Sequence, residues 1–243
     1  MYTEAELHQN FKSFPLFHKY IQEFVYGGID GSVTTFAVVA GAAGAELQSS
    51  IVVILGFTNL FADGFAMSVG NYLSQKSIGD NFEKHKKREY WEIENLREKE
   101  VEEIRDIYSK KGFQGKLLED VVSVITSDKD RWVDVMMKEE LEMMPEQKSP
   151  LKSGLMTFCS FVSIGLLPLI VYVIDFLFGL SNSNLFLNAS ILTSLGFIGI
   201  GFMKSYVTQT SHVKGIFETL LLGTLAAIVA YYVGDVLGKM FLP

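Results

Sequence analysis

A single cysteine, Cys159, is all the thiol chemistry in this 243-residue chain, so no intramolecular disulfide is available to hold it together. Proline is scarce too, with five residues, and none interrupts 75–109, which leaves that stretch free to run as a long helix. No basic patch stands out and the formal charge is −7, which argues against nucleic acid as a partner. An enzyme is not expected: its most sensible form here would be a ferroxidase, and no pair of Glu-x-x-His motifs of the di-iron type occurs, since His85 precedes Glu89 and the other histidines are remote. The first 20 residues lack an apolar core before a small-residue cleavage site, so no cleavable signal peptide is expected.

Charge is the scarcest commodity of the two flanks. Of the 49 Asp, Glu, Lys and Arg residues, 35 fall within 76–152, so the middle third faces water and the rest does not. Five apolar stretches, 24–45, 50–72, 153–174, 185–203 and 215–236, approach or reach the length needed to cross a hydrocarbon core, about 20 helical residues. The third and fourth carry no formal charge; the first two carry one carboxylate each, Asp30 and Asp63. The expected fold is an all-α membrane protein of five transmembrane helices with a cytosolic three-helix metal-binding insert between spans two and three. Its divisions are an amino-terminal segment at 1–22, two spans within 23–75, the insert at 76–150 and three spans within 151–243.

Lysine and arginine accumulate on the cytoplasmic side of membranes. Lys12, Lys19, the insert and the 204–214 connection fall on one side of a five-span chain, whereas the 46–49 and 179–184 loops contain no basic residue. The amino terminus and the insert are therefore expected in the cytosol and the carboxyl terminus beyond the membrane, with Lys239 against the trend. The short chain, without a recognisable sorting extension, favours a prokaryotic plasma membrane over a vacuolar one.

Within the insert, 75–109 is expected as one helix continuing the second span, closed by Lys110, Lys111 and the left-handed cap residue Gly112. A short helix at 116–126 follows. A third, capped by Ser127 or Asp128, reaches about Met144 before Pro145. On the first helix Glu89, Glu92, Glu100 and Glu103 fall within an arc of roughly 80°, while Glu94, Glu98 and Glu102 point elsewhere. Four carboxylates on one stripe repel each other unless a cation sits among them; the competing reading is a solvated face balanced by neighbouring lysines and arginines. Met136 and Glu140 share a face of the third helix, and a helical hairpin would bring them to the stripe. Oxygen ligands alone suit Mg²⁺ or Ca²⁺, and an added thioether turns the site towards Fe²⁺, Co²⁺, Mn²⁺ or Zn²⁺. His85, near the stripe, reads either as a further ligand or as a solvated histidine.

Inside the first span, Tyr26-Gly27-Gly28-Ile29-Asp30-Gly31-Ser32 sets a carboxylate among glycines at membrane depth, where an ionisable group normally faces a cavity or a partner. Asn59, Asp63 and Met67 follow at four-residue spacing on one face of the second span. Counting from the tight connection near Gln48, Asp30 and Met67 come level, about 18 and 19 residues away, with Asp63 one turn deeper. The bland readings are an interfacial Asp30, a packing Met67 and a protonated Asp63 bonded to Asn59. The pairs Gly27–Gly31, Ala37–Gly41 and Ala40–Gly44 permit close helix approach, between two copies of the chain or within one.

From Phe24 onward the chain resembles the vacuolar iron transporters and their prokaryotic relatives. The likeness is most specific in Gly28-Ile29-Asp30-Gly31, in Ala62-Asp63-Gly64-Phe65-Ala66-Met67-Ser68, in the Glu89/Glu92/Glu100/Glu103 stripe and from Arg131-Trp132 to Glu139-Glu140. The resemblance implies a homodimer exporting cytosolic Fe²⁺ in exchange for protons, with a pathway between two copies of the first span. It implies that Asp30 and Met67 are in-membrane ligands and that Glu89, Glu92, Glu100, Glu103, Met136 and Glu140 form the cytosolic metal set. No cofactor beyond the transported metal is implied. Some relatives have glutamate where this chain has Asn59, and Asp63 would carry that carboxylate one turn along. The rival reading from another class is a membrane-anchored protein that stores or senses metal without transporting it.

Overall fold

A computed structural model describes residues 15–146, 148–179 and 184–242. Residues 1–14 of the amino-terminal segment and most of the 179–184 loop lie outside these described residues. Among those described there are nine α-helices and no strands: α1 (Pro15–Gly44), α2 (Ser49–Asn95), α3 (Arg97–Lys110), α4 (Gly115–Thr126), α5 (Lys129–Glu139), α6 (Pro150–Gly165), α7 (Leu167–Phe178), α8 (Leu185–Thr208) and α9 (His212–Phe241). The chain divides into two compact units, 74–147 and the remainder, and the boundary falls inside α2.

Four helical segments are long and apolar enough to cross a bilayer: Lys19–Gly44, Ser49–Asn95, Leu185–Tyr206 and His212–Phe241. The α6–α7 pair passes the same test together but is bent by 51°. Large apolar side chains such as Phe61, Phe65, Leu222 and Tyr232 stand exposed along these helices, a surface that water does not tolerate and lipid does. The protein is therefore a multi-pass integral membrane protein.

The third expected span, 153–174, falls on this bent pair and is not a single straight helix. α6 stops at Gly165, and Pro168 occupies the first turn of α7. Proline has no N–H to offer the carbonyl one turn back and its ring clashes there, so the helix restarts instead of continuing. Gly165 lets the break lie close to the backbone of Gly31.

α1 lies at the centre of the membrane unit. A Cβ at Gly27 would come 2.5 Å from the Thr157 carbonyl oxygen on α6, Gly31 faces Phe161 of α6, and Gly41 faces Gly234 of α9. Contacts this close give van der Waals packing, which is what holds helices together in lipid. Val39, Leu60, Phe161, Leu169 and Ala189 form one fully buried apolar cluster, with Phe36, Ala40, Phe197 and Ala227 in a second.

The 74–147 unit has its own core of Ile93, Ile104, Val122, Trp132, Val133, Met136 and Met137. Here the expected single helix over 75–109 breaks at Leu96, which leaves the helical region (φ −128°, ψ 32°). No glycine or proline causes this. Ile93 and Ile104 join the same buried cluster, yet a straight helix would hold them about 16 Å apart. Burial of both around Trp132 and Met136 favours an elbow over an unbroken helix. Gly112 does take up a left-handed conformation (φ 97°) beyond the end of α3. Asp128 caps α5, its Oδ1 accepting from the Arg131 amide at 2.8 Å. α5 ends at Glu139, short of Met144, as Glu142 turns left-handed and the Met143 amide bonds back to the Met137 carbonyl at 2.8 Å.

Candidate metal centre

The elbow at Leu96 decides where the carboxylates go. On a straight helix Glu89 and Glu103 would lie about 21 Å apart, beyond useful electrostatic reach. Bent, the chain gathers Glu89, Glu92, Glu100, Glu103 and Glu140 around one cavity of about 150 Å³, whose wall also includes His85, Arg88 and Lys99. The expected arc on one helix is thus replaced by two pairs on two helices, closed by Glu140 at the end of α5.

The five carboxylates are not equivalent. Glu92 is bridged to Arg88 at 3.0 Å and Glu103 to Lys99 at 3.2 Å, so these two have cationic partners one turn away. Glu89 and Glu100 are 3% and 2% exposed, and one oxygen of each has no hydrogen-bond partner. Burial, followed by the charges of Glu140, Glu92, Glu100 and Glu103, pushes the Glu89 carboxyl up to about 7. Burial and then Glu103 chiefly push Glu100 up to about 7 as well. Glu140 is also raised, by burial first and by Glu103 and Glu92 next. A divalent cation in the cavity would reverse each of these penalties and expel the protons.

Met136 departs from the expected geometry. It is fully buried in the apolar core, and the cavity wall does not include it, although its carbonyl accepts from the Glu140 amide at 3.0 Å. A thioether is apolar enough to be claimed by the core. Among the described residues, no three His, Cys, Asp or Glu side chains are drawn up to metal-holding distance, so the carboxylates ring the cavity without closing on its centre.

In the membrane unit Asp30 is half-buried on α1, and its carboxylate lies within electrostatic reach of Asp63 on α2. Thr34 donates to the Asp30 carbonyl at 2.8 Å. Met67 is half-buried and packs against the cluster containing Leu60 and Phe161. The bland alternative of Asp63 bonded to Asn59 is not seen: Asn59 Nδ2 is buried without an acceptor, and Asp63 is exposed.

Glu23 is a further buried carboxylate, one that no sequence motif singles out. It is 4% exposed, pairs with Lys148 at 2.8 Å and accepts from Ser153 Oγ at 3.3 Å, while its second oxygen has no partner. Nearby, Tyr20 Oη accepts from the Ser149 amide at 3.1 Å. Its one sequence signal is its place as the last charge before the first apolar run; a partner 125 residues away leaves no local pattern.

The chain is also similar to known proteins. A protein of Toxoplasma gondii named vacuolar iron transporter is 37% identical over 224 residues, covering 90% of this chain and 74% of its own. One of the same name from Plasmodium falciparum is 32% identical, covering 89% and 82%. Vacuolar iron transporter 1 of Eucalyptus grandis is 31% identical, covering 87% and 84%. With the family pattern matched continuously over residues 21–235, across the spans and the carboxylate-bearing helices alike, the chain belongs to the VIT family.

Proposed function

We propose that the chain carries a divalent transition metal, Fe²⁺ first and Mn²⁺, Co²⁺ or Zn²⁺ by the same chemistry, out of the cytosol in exchange for protons. Metal transport is supported by the relatives' names and the family match. The observation that carries the mechanism is the gathering of five carboxylates at the elbow, two of them buried and raised to about 7. Groups that titrate at cytosolic pH hold protons when metal is scarce and release them when it binds.

In this reading the 74–147 unit is cytosolic and captures metal through Glu89, Glu92, Glu100, Glu103 and Glu140. Met136 lies one turn before Glu140, where a rotamer change of its flexible side chain would add a sulfur ligand. Asp30 and Met67 receive metal in the membrane, and Asp63 supplies a second ionisable group near Asp30. Five crossings, with α6 and α7 together forming the third, put the amino terminus and the 74–147 unit on the same side. The glycines of α1 are engaged within the chain, which leaves the half-exposed stripe of Asp30, Val33, Thr34 and Ala37 for a second copy. A homodimer formed there would set two Asp30 carboxylates along one pathway.

Uptake of Fe²⁺ by anaerobic proteoliposomes, compared with protein-free vesicles, tests the transport itself. Protein-dependent accumulation supports the proposal. Metal bound at the cavity without Fe²⁺ or Mn²⁺ flux would replace it with the storage or sensing reading.

A further inference from the structure

The same elbow has a second cavity, of about 340 Å³ and mixed polar and apolar character, lined by Glu94, Arg97, Thr126, Ser127, Lys129 and Trp132. That volume falls within the range of small-molecule sites. Lys129 is already neutralised by an ion pair with Glu94. Arg97 is not: among the described residues it pairs with no carboxylate, reaching only the Thr126 carbonyl at 3.5 Å and the face of Trp132 at 5.0 Å. A guanidinium offers a planar fork of donors suited to a carboxylate or phosphate. An independent observation points the same way. Trp132 is fully buried, lines this cavity, and its indole N–H has no acceptor in the protein. A buried N–H without an acceptor is destabilising, and an oxyanion beside Arg97 would supply one.

We propose that this cavity binds a small oxyanion, carboxylate or phosphate, held by Arg97 and the Trp132 indole N–H, and that its occupancy tightens metal binding at the glutamates. The coupling has a mechanical basis. Arg97 opens α3 directly after the bend at Leu96 and Trp132 lies on α5, so a ligand held by both ties α3, which carries Glu100 and Glu103, to α5, which leads to Glu140. That bend brings Glu89 and Glu92 to Glu100 and Glu103. Coupling of this kind is reciprocal, so metal also tightens the anion. The coupling rests on the metal-binding reading of the glutamate cavity; the anion site does not.

The chain has two tryptophans, Trp91 and Trp132, so Trp91→Phe leaves Trp132 as the sole indole reporter. The full chain carrying this change, in detergent and free of metal, is titrated with succinate and, separately, with inorganic phosphate. A saturable change in Trp132 emission in roughly the millimolar range is expected. Saturation by succinate alone, phosphate alone or both supports the site and names its ligand class. Arg97→Gln is expected to weaken binding about tenfold, with Arg97→Lys in between because it keeps the charge and loses the fork. No saturable change with either probe, or equal binding by the Arg97→Gln protein, overturns the site. Mn²⁺ affinity measured with and without the saturating probe is expected to rise several-fold when the site is filled; an unchanged value overturns the coupling.

Discussion

Because Glu89 and Glu100 titrate near neutrality, metal affinity should depend steeply on pH between 6 and 8. The perturbation is a step from pH 8 to pH 6. A carboxyl raised to about 7, as both are, is about one-tenth protonated at the upper limit and about nine-tenths at the lower. Emptying one such group for a metal therefore becomes about tenfold harder across the window, and emptying two about a hundredfold, roughly 2.7 kcal/mol. Coupling between them through the shared cavity spreads the two steps without changing the total of two protons. At pH 7, where each is half protonated, binding should release about one proton per metal.

The assay is calorimetric titration of the detergent-solubilised full chain with Mn²⁺, repeated in buffers of different ionisation enthalpy so that released protons are counted directly. The same titration of Glu89→Gln/Glu100→Gln removes the contribution of groups elsewhere. The parent's affinity should fall about a hundredfold from pH 8 to pH 6, and the double variant should bind weakly with little pH dependence. Equal affinity at the two pH values, or a release near zero at pH 7, would refute the assignment of raised carboxyls to the metal-binding cavity.

Without metal the same groups act on stability in a defined direction. Their carboxyls stand above the ordinary 4.5, so the folded state holds protons that the unfolded chain gives up; their stabilisation is complete below 4.5 and lost as pH rises through about 7. Glu100→Gln should therefore raise metal-free stability at pH 8 by about 1–3 kcal/mol and change it little at pH 5, as read by denaturant unfolding followed through signals of the 74–147 unit. Met136→Leu should keep the fold, because volume-conserving core swaps usually cost below about 1.5 kcal/mol, while lowering Fe²⁺ affinity several-fold and leaving Ca²⁺ affinity unchanged. Equal effects on both metals, or none, would assign Met136 to the core alone. Asp63→Asn should flatten the pH dependence of metal flux, and an unchanged profile would leave proton coupling to Asp30.

Much of this architecture can be read from the chain because it is local. Span lengths depend on runs of apolar residues, the Gly112 turn on a residue free to be left-handed, and the α5 cap on Asp128 with a short side-chain oxygen. Pro168 is equally local, but the lack of charge over 153–174 marks an apolar run without marking the break that this proline causes. The elbow is different in kind: nothing near Leu96 announces it, and it arises because Ile93 and Ile104 are drawn into one core. The glutamates could be paired from their spacing, yet only the bend explains how Glu89 meets Glu103. Met136 shows the converse, since helical spacing placed it with Glu140 while burial took its sulfur into the core. Glu23 escaped notice because its partner Lys148 lies so far along the chain.

Metal–proton exchange through Asp30 is tested most directly by Fe²⁺ flux into anaerobic proteoliposomes with and without an imposed pH gradient, for the parent and Asp30→Ala. The expected result is flux that the gradient accelerates and that Asp30→Ala abolishes in folded protein. Gradient-independent flux, or full flux from Asp30→Ala, would contradict it.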